Sequence, residues 1–270
     1  MKKFIALALA LVMSLSLVAC GAPAASSGSA SQPEVQATDL EAIKAKGEMI
    51  IGYTVYAPMN YTDESGEFVG FDTELAKAVC AKLGVEPKFQ EINWDTKEVE
   101  LNAGTIDCVW NGMTITEDRK TNMEVTDPYV VNAQVVIMLK GAAYTDTSSL
   151  VGKNVCAEQG SAGQSAIEDD SNLAKATFVP KTVQTDCLME VAAGTCDAAV
   201  LDITLAKAMI GEGTDYATLV IVDQLAEEYY GVAFRKGSDA CAATNQIFDQ
   251  LIADGTMGAL AEKYELTLAD

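Results

Sequence analysis

An eight-residue segment occurs twice in this 270-residue chain, and it limits the fold more than any other feature. Glu100-Leu-Asn-Ala-Gly-Thr-Ile-Asp107 and Glu190-Val-Ala-Ala-Gly-Thr-Cys-Asp197 lie 90 residues apart and agree at five of eight positions. Each copy reads as a helix that closes at a glycine, turns through Thr-x-Asp and enters an apolar strand. Helix, glycine, turn and strand often follow one another, so coincidence is the competing explanation. Five identities favour two similar α/β lobes. From Thr38 onward, short apolar runs alternate with helical patterns, which is the signature of an α/β sheet. Met49 to Tyr53 reads as a buried strand, and Asp63-Glu64-Ser65-Gly66 as the turn of a hairpin. Asp72 is expected to cap a helix with Leu75, Val79 and Leu83 on its inner face and Gly84 as its stop. Asp95-Thr96-Lys97-Glu98 resembles a capping box for a helix ending at Gly104, with Ile106 to Trp110 as the next strand.

Two lobes of this kind turn strand carboxyl ends toward one cleft, where open α/β sheets bind ligands. The residues that follow the two copies, Trp110-Asn111-Gly112 and Val200-Leu201-Asp202, are expected to look into it. A length of 270 residues agrees with about two domains and a core that needs no staple.

Composition removes several classes of function. The chain has no histidine, so Ser-His and Cys-His nucleophilic catalysis cannot be built and the commonest metal ligand is missing. Its 18 cations against 39 anions give a net charge of -21, without a basic cluster to grip phosphates, so nucleic acid is not an expected partner. Neither a metal nor a cofactor is expected. Cys80, Cys108, Cys156, Cys187, Cys196 and Cys241 contain no C-x-x-C pair, which leaves a zinc site without spacing support. Several lie within apolar patterns, where a free thiol packs as a small hydrophobe, although export would also permit disulfides.

The N-terminus reads as an address. A basic start at Lys2 and Lys3 and an apolar run from Phe4 to Val18 match a secretory signal peptide, residues 1–19. The run ends in Leu17-Val18-Ala19-Cys20-Gly21, which resembles a bacterial lipoprotein cleavage site and implies a lipidated Cys20. Residues 20–38 are rich in Ala, Ser, Gly and Pro and read as a flexible tether behind that anchor. Without Lys2 and Lys3 the charge becomes -23, so attachment to an anionic membrane must rest on the lipid. The expected location is the extracytoplasmic face of the cell membrane.

Three features could carry ligand chemistry. Arg119 follows the strand that enters the cleft, and a guanidinium clamps a carboxylate with two parallel hydrogen bonds; the alternative is a surface residue neutralising Glu117, Asp118 or Glu124. The loop Glu158-Gln-Gly-Ser-Ala-Gly163 precedes a helix and would offer an anion free backbone N–H groups, although such a loop is often only a connection. Asp202, on the opposite lobe, could accept an ammonium or could cap the helix that follows it. Tyr56, Phe71, Trp94 and Trp110 are aromatics near strand ends, available to a pocket or to the core.

Five segments come in a distinctive order: Ile51–Met59, Gly66–Asp72, Gly104–Asp107, Gly112–Arg119 and Thr126–Tyr129. Together with Gln159-Gly-Ser161, Asp197–Asp202 and Gly231–Lys236, they resemble the polar amino-acid-binding proteins of ABC importers, solute-binding protein family 3. The resemblance runs from about Leu40 to Asp270. It implies a two-lobed type II periplasmic-binding-protein fold with a ligand cleft between the lobes. Lobe 1 would comprise residues 39–130 plus 231–270 and lobe 2 residues 131–230, with hinge strands near Val130–Asn132 and Glu227–Gly231.

The family site, carried over, has Arg119 holding the ligand carboxylate with backbone help from Gly112, Thr114 and the Ser161-Ala162 loop. Asp202 would receive the α-ammonium and Tyr56 would pack on the ligand side chain, whereas Arg235 would not touch ligand. Trp110 and Asn111 fall at variable pocket positions. Ala162 stands where many relatives carry a hydroxyl. Lys97 would favour an acidic or polar ligand side chain if it reached the pocket, and would say nothing if it faced solvent. The implied function is capture of a free amino acid by a monomer and delivery to an ABC permease. A dehydratase-like enzyme acting on small carboxylic acids and a ligand-sensing module are the alternatives on this fold.

Overall fold

A computed structural model of the chain describes residues 38–270. The signal segment, Cys20 and nearly all of the tether lie outside the described residues. Helix α1 (Asp39–Lys46) opens on a capping box between Thr38 and Glu41 and closes at Gly47 in the left-handed region. There follow β1 (Glu48–Tyr53), the hairpin β2 (Tyr61–Thr62) and β3 (Phe68–Val69), α2 (Phe71–Leu83), β4 (Glu86–Glu91), α3 (Lys97–Ala103) and β5 (Cys108–Thr114). Next come α4 (Glu117–Asn122), β6 (Met123–Val125), β7 (Val130–Leu139), β8 (Asn154–Glu158), α5 (Ala162–Asp169), β9 (Thr177–Lys181), α6 (Gln184–Ala193) and β10 (Ala198–Asp202). The chain ends with α7 (Ile203–Met209), β11 (Leu219–Arg235), α8 (Asp239–Ala253) and α9 (Thr256–Lys263).

Nine strands form one sheet in the order β4-β1-β5-β11-β7-β10-β8-β9, with β6 also paired to β11. β1 is parallel to both β4 and β5, and β8 is parallel to both β9 and β10. These two parallel blocks are the cores of the two lobes. Between them run β7 and β11, paired antiparallel from Leu219 beside Leu139 to Tyr230 beside Val130. Parallel blocks are buried on both faces and favour continuous apolar strands. β5 fits this rule, with all seven residues buried. At the sheet edge, beyond β1, β4 alternates more polar residues.

The two copies of the sequence repeat fold alike. Gly104 and Gly194 end α3 and α6 with φ of 73° and 74°. Thr105 and Thr195 each return a hydroxyl bond of 3.0 Å to the carbonyl of the Glu that opens their copy. Asp107 exchanges hydrogen bonds with the backbone of Ile50, and Asp197 does the same with Asn154. Each aspartate thereby joins its strand to the neighbouring parallel strand.

Local expectations hold where the chemistry is local. Asp63 Oδ1 accepts from the backbone of Ser65 and Glu67 in the β2–β3 turn. All six described cysteines are buried and unpaired. Two helix starts differ from expectation. Asp72 does not cap α2: Gly70 holds the cap position, where a Cβ would lie 2.1 Å from the Met59 carbonyl oxygen. The Asp72 carboxylate instead reaches across the lobe to the N–H of Gly112. Asn93, rather than Asp95, caps the 3-10 turn at Trp94–Thr96, and Thr96 makes no side-chain cap for α3. The strand expected at Ile106–Trp110 runs from Cys108 to Thr114, because antiparallel pairing with β11 carries it on to Thr114.

Candidate functional site

The carboxyl ends of β5, β8 and β10 converge on a small cavity, with room for about 10 Å³. Eight of the nine residues expected to bind ligand line it: Tyr56, Asn111, Gly112, Thr114, Arg119, Ser161, Ala162 and Asp202. Trp110 does not. It is wholly buried against Phe248 of α8, with ring centroids 5.7 Å apart, and belongs to the core. Trp94, Glu158 and Gln184 complete the lining. Larger hollows occur elsewhere, one between Pro58, Lys207 and Thr267, but among the described residues only this cavity gathers a buried arginine and buried carboxylates.

Arg119 sits in the first turn of α4, whose Thr116 cap accepts the Arg119 N–H at 3.2 Å. Arg119 is 8% exposed, and its guanidinium donates to the Thr114 carbonyl at 2.6 Å and to the Gly160 carbonyl at 3.5 Å. Among the described residues it forms no salt bridge, while the other arginine, Arg235, pairs with Asp39 and Asp107. Burial pulls the Arg119 pKa down, opposed by the nearby charges of Glu228 and Asp202. A buried cation without a counter-ion is costly, and a ligand carboxylate supplies what is missing.

Asp202 lies across the cavity at the end of β10. It occupies the cap position of α7 yet makes no capping hydrogen bond. Its Oδ1 instead accepts from Asn132 Nδ2 at 2.5 Å and Gln134 Nε2 at 2.7 Å, and its Oδ2 accepts from Gln184. The same two amides of Asn132 and Gln134 also donate to Glu228, at 2.6 and 2.8 Å. Two carboxylates thus share one pair of amides. Burial first, and then Glu228, pushes Asp202 up to about 7. An ammonium placed there would relieve both effects.

The remaining expected residues have other duties. Tyr56 joins Thr204 and Tyr230 in a cluster of hydroxyls that bridges the lobes. Asn111 spends its amide on Thr54 and Asn60. The Gly112 N–H, expected to help hold the ligand, is taken by Asp72 at 2.6 Å. Gly112 itself is required, since with φ of 55° a Cβ would meet the Tyr56 ring at 2.7 Å. Thr114 positions Arg119 through its carbonyl and donates its hydroxyl to Glu228. Ser161 caps α5, so the cavity faces a helix N-terminus at Ser161 and Ala162.

Lys97 is buried, but its ammonium points to backbone: Nζ donates to the carbonyls of Trp94 at 3.1 Å and Gly160 at 3.0 Å. With the bond between Gln159 and Asp95, it joins the turn before α3 to the loop between β8 and α5. Gly160 permits that approach, because a Cβ there would lie 3.0 Å from Asp95 Oδ1.

Sequence reasoning left Gln184 and Glu228 unassigned. Nothing marks Glu228 among 39 acidic residues until β11 lies beside β7. Trp94 was expected at a pocket or in the core and the loop beginning at Glu158 was expected to offer backbone N–H groups to an anion, but the Glu158 side chain itself was given no role.

Among the described residues, a guanidinium with no salt-bridge partner shares this site with two carboxylates that also have none, which is the complement of a zwitterion. The sequence pattern of bacterial extracellular solute-binding proteins, family 3, matches residues 49–267. The chain belongs to that family. It is 28% identical over 266 residues to the arginine-binding extracellular protein ArtP of Bacillus subtilis, covering 98% of each chain. It is also 28% identical over 271 residues to the ABC transporter glutamine-binding protein GlnH of Bacillus subtilis, covering 98% of this chain and 97% of that one. Among solved structures, a mutant of ArgBP from T. maritima superposes with a TM-score of 0.77 at 32% identity, covering 84% of this chain and 98% of that one. The fold is the two-lobed periplasmic-binding type. This family member is an amino-acid-binding protein of the transport class and not an enzyme.

Proposed function

We propose that the protein holds one free amino acid between Arg119 and the Asp202–Glu228 pair and hands it to an ABC permease. The observation that carries this reading is the buried Arg119 guanidinium, which forms no salt bridge among the described residues and faces two amide-linked carboxylates. The ligand carboxylate lies on Arg119 and the N-terminus of α5, and the ammonium lies at Asp202. Micromolar affinity requires about 8.2 kcal/mol. For about ten heavy atoms that is roughly 0.8 kcal/mol per atom, within reach of a small ligand whose two charges are both paired.

The lobes, residues 39–130 plus 231–270 and residues 131–230, close by rotation about the strands near Val130–Asn132 and Glu227–Gly231, a motion known in periplasmic binding proteins. Closure brings Lys97 to the Gly160 carbonyl and presents one combined surface to the permease. Cys20 carries the lipid that holds the protein, a monomer, at the outer face of the membrane. Replacing Cys20 by serine should release the protein into the medium; retention on the membrane overturns the anchor.

The binding function is tested by thermal shift of the purified, ligand-stripped protein against the free amino acids and cystine. A ligand at 100 times its Kd should add about 2.7 kcal/mol to stability. Analogues lacking the carboxylate or the amino group should add almost nothing. A folded protein that responds to none of the amino acids overturns the reading.

A further inference from the structure

We infer that the side-chain end of this cavity selects a cation, an amino acid of the arginine or lysine type, and that Glu158 is the residue that selects it. The inference rests on the amino-acid reading above and names the class of ligand within it.

Glu158 ends β8 and lines the cavity at 3% exposure, yet among the described residues its Oε1 has no hydrogen-bond partner. Buried carboxylate oxygens are rarely left in this state, because burial removes water without replacing its hydrogen bonds. Burial, and then the charge of Asp202, pushes Glu158 up to about 8, with Lys97 and Arg119 pulling the other way.

The charges around the cavity point to the same ligand. Arg119 and Lys97 stand against Asp202, Glu228 and Glu158, so one negative charge is in excess when all three carboxyls are ionised, and in the unliganded protein burial makes Glu158 and Asp202 hold protons near neutral pH instead. The carboxylate and ammonium of an amino acid cancel each other, so only the ligand side chain can correct the imbalance. A cationic side chain removes it, a neutral one leaves it, and an acidic one doubles it. Lys97 does not serve as a receptor for an acidic side chain, because its Nζ is already committed to the carbonyls of Trp94 and Gly160. Tyr56 lines the same space and offers aromatic surface, over which a guanidinium or ammonium is favoured, whereas the Trp94 ring already carries the Lys97 ammonium 4.9 Å from its centroid.

The test is calorimetric titration of the ligand-stripped, full-length protein with arginine, lysine, glutamine, glutamate, cystine and citrulline, the last a neutral isostere of arginine. Arginine or lysine should bind tightest, with arginine at least about 100-fold tighter than citrulline, since a charged hydrogen bond to a buried partner is replaced by a neutral one. In Glu158→Gln that ratio should fall to about tenfold or less, through lost arginine affinity and not through gained citrulline affinity. Glutamine, glutamate or cystine binding tightest would overturn the inference while the amino-acid reading stands. No binding by any amino acid would overturn that reading as well. An unchanged ratio in Glu158→Gln would remove Glu158 as the selector. The wild-type ratio requires no variant, so it decides the ligand class even if Glu158→Gln fails to fold.

Discussion

The two copies of the repeated segment form the same turn and then deliver opposite charges. Through Asp107 and Asp197 they match in glycine conformation, threonine bonds and the aspartate link to the neighbouring strand. Both aspartates also pair with a lysine, Asp107 with Lys46 at 2.7 Å and Asp197 with Lys153 at 3.4 Å. After that the copies part. β5 runs seven residues to Thr114 and leads into the turn that buries Arg119, whereas β10 stops after five at Asp202. The repeat is scaffold that sets strand register. The binding chemistry lies in the unrepeated residues that each scaffold carries to the cleft.

The sharpest way to break this comparison is to remove one charge at a time. Arg119→Ala should weaken amino-acid binding by about 2–5 kcal/mol, roughly 30- to 4,000-fold, because the ligand carboxylate is left buried and unpaired. Asp202→Asn should cost less, about 10- to 100-fold, since Glu228 remains beside the ammonium. Calorimetry on the two variants reads the difference. Equal losses would mean that Glu228 does not share the ammonium.

The next effect is pH-dependent. Asp72 and Asp202 are held at about 7 and Glu158 at about 8, all raised chiefly by burial. Asp72 is met by the Gly112 N–H and Tyr129, and Asp202 by Glu228, Gln184 and Asn132; Glu158 is met by Asp202, Lys97, Arg119 and Asp186. The folded protein therefore keeps protons that the unfolded chain releases near pH 4, and stability must fall as pH rises from about 4 through about 8. Denaturation midpoints of the ligand-free protein from pH 5 to 8 should decline. Stabilisation by bound ligand should grow over the same interval, because the ammonium favours the ionised carboxylates.

The smallest effect examines the repeat itself. Gly104 and Gly194 have open space where a Cβ would stand, so Gly104→Ala and Gly194→Ala should each cost only the left-handed backbone, about 1–2 kcal/mol. The two costs should agree within about 0.5 kcal/mol. Neither substitution should alter ligand affinity. Urea midpoints check the first claim and calorimetry the second.

Much of this was legible beforehand because its causes are short-ranged. The Asp63 turn, the glycine helix stops and the two aspartate-ended turns depend on residues within a few positions of one another. Arg119 and Asp202 stood out because a rare cation and a strand-ending acid flanked those turns. The errors had distant causes. Asp72 looks like a cap until Gly112, 40 residues away, is seen to claim its carboxylate. Trp110 looks like a pocket aromatic until α8 brings Phe248 against it. Lys97 could have faced solvent or ligand, and instead found the Gly160 carbonyl 63 positions away.

By itself, then, the sequence determined the doubled helix–glycine–turn–strand unit, the α/β alternation and the ordered motifs that mark the family. Backbone conformation and side-chain bonds within a few residues are sufficient for each local turn, and apolar periodicity for each element. The tertiary structure alone decided the balance of charge in the cleft. Glu228 meets Thr114 across 114 residues and Asn132 across 96, and only the pairing of β11 with β5 and β7 brings them together. Whether a buried charge is answered or left open depends on every group around it, and those groups come from parts of the chain that share no local pattern.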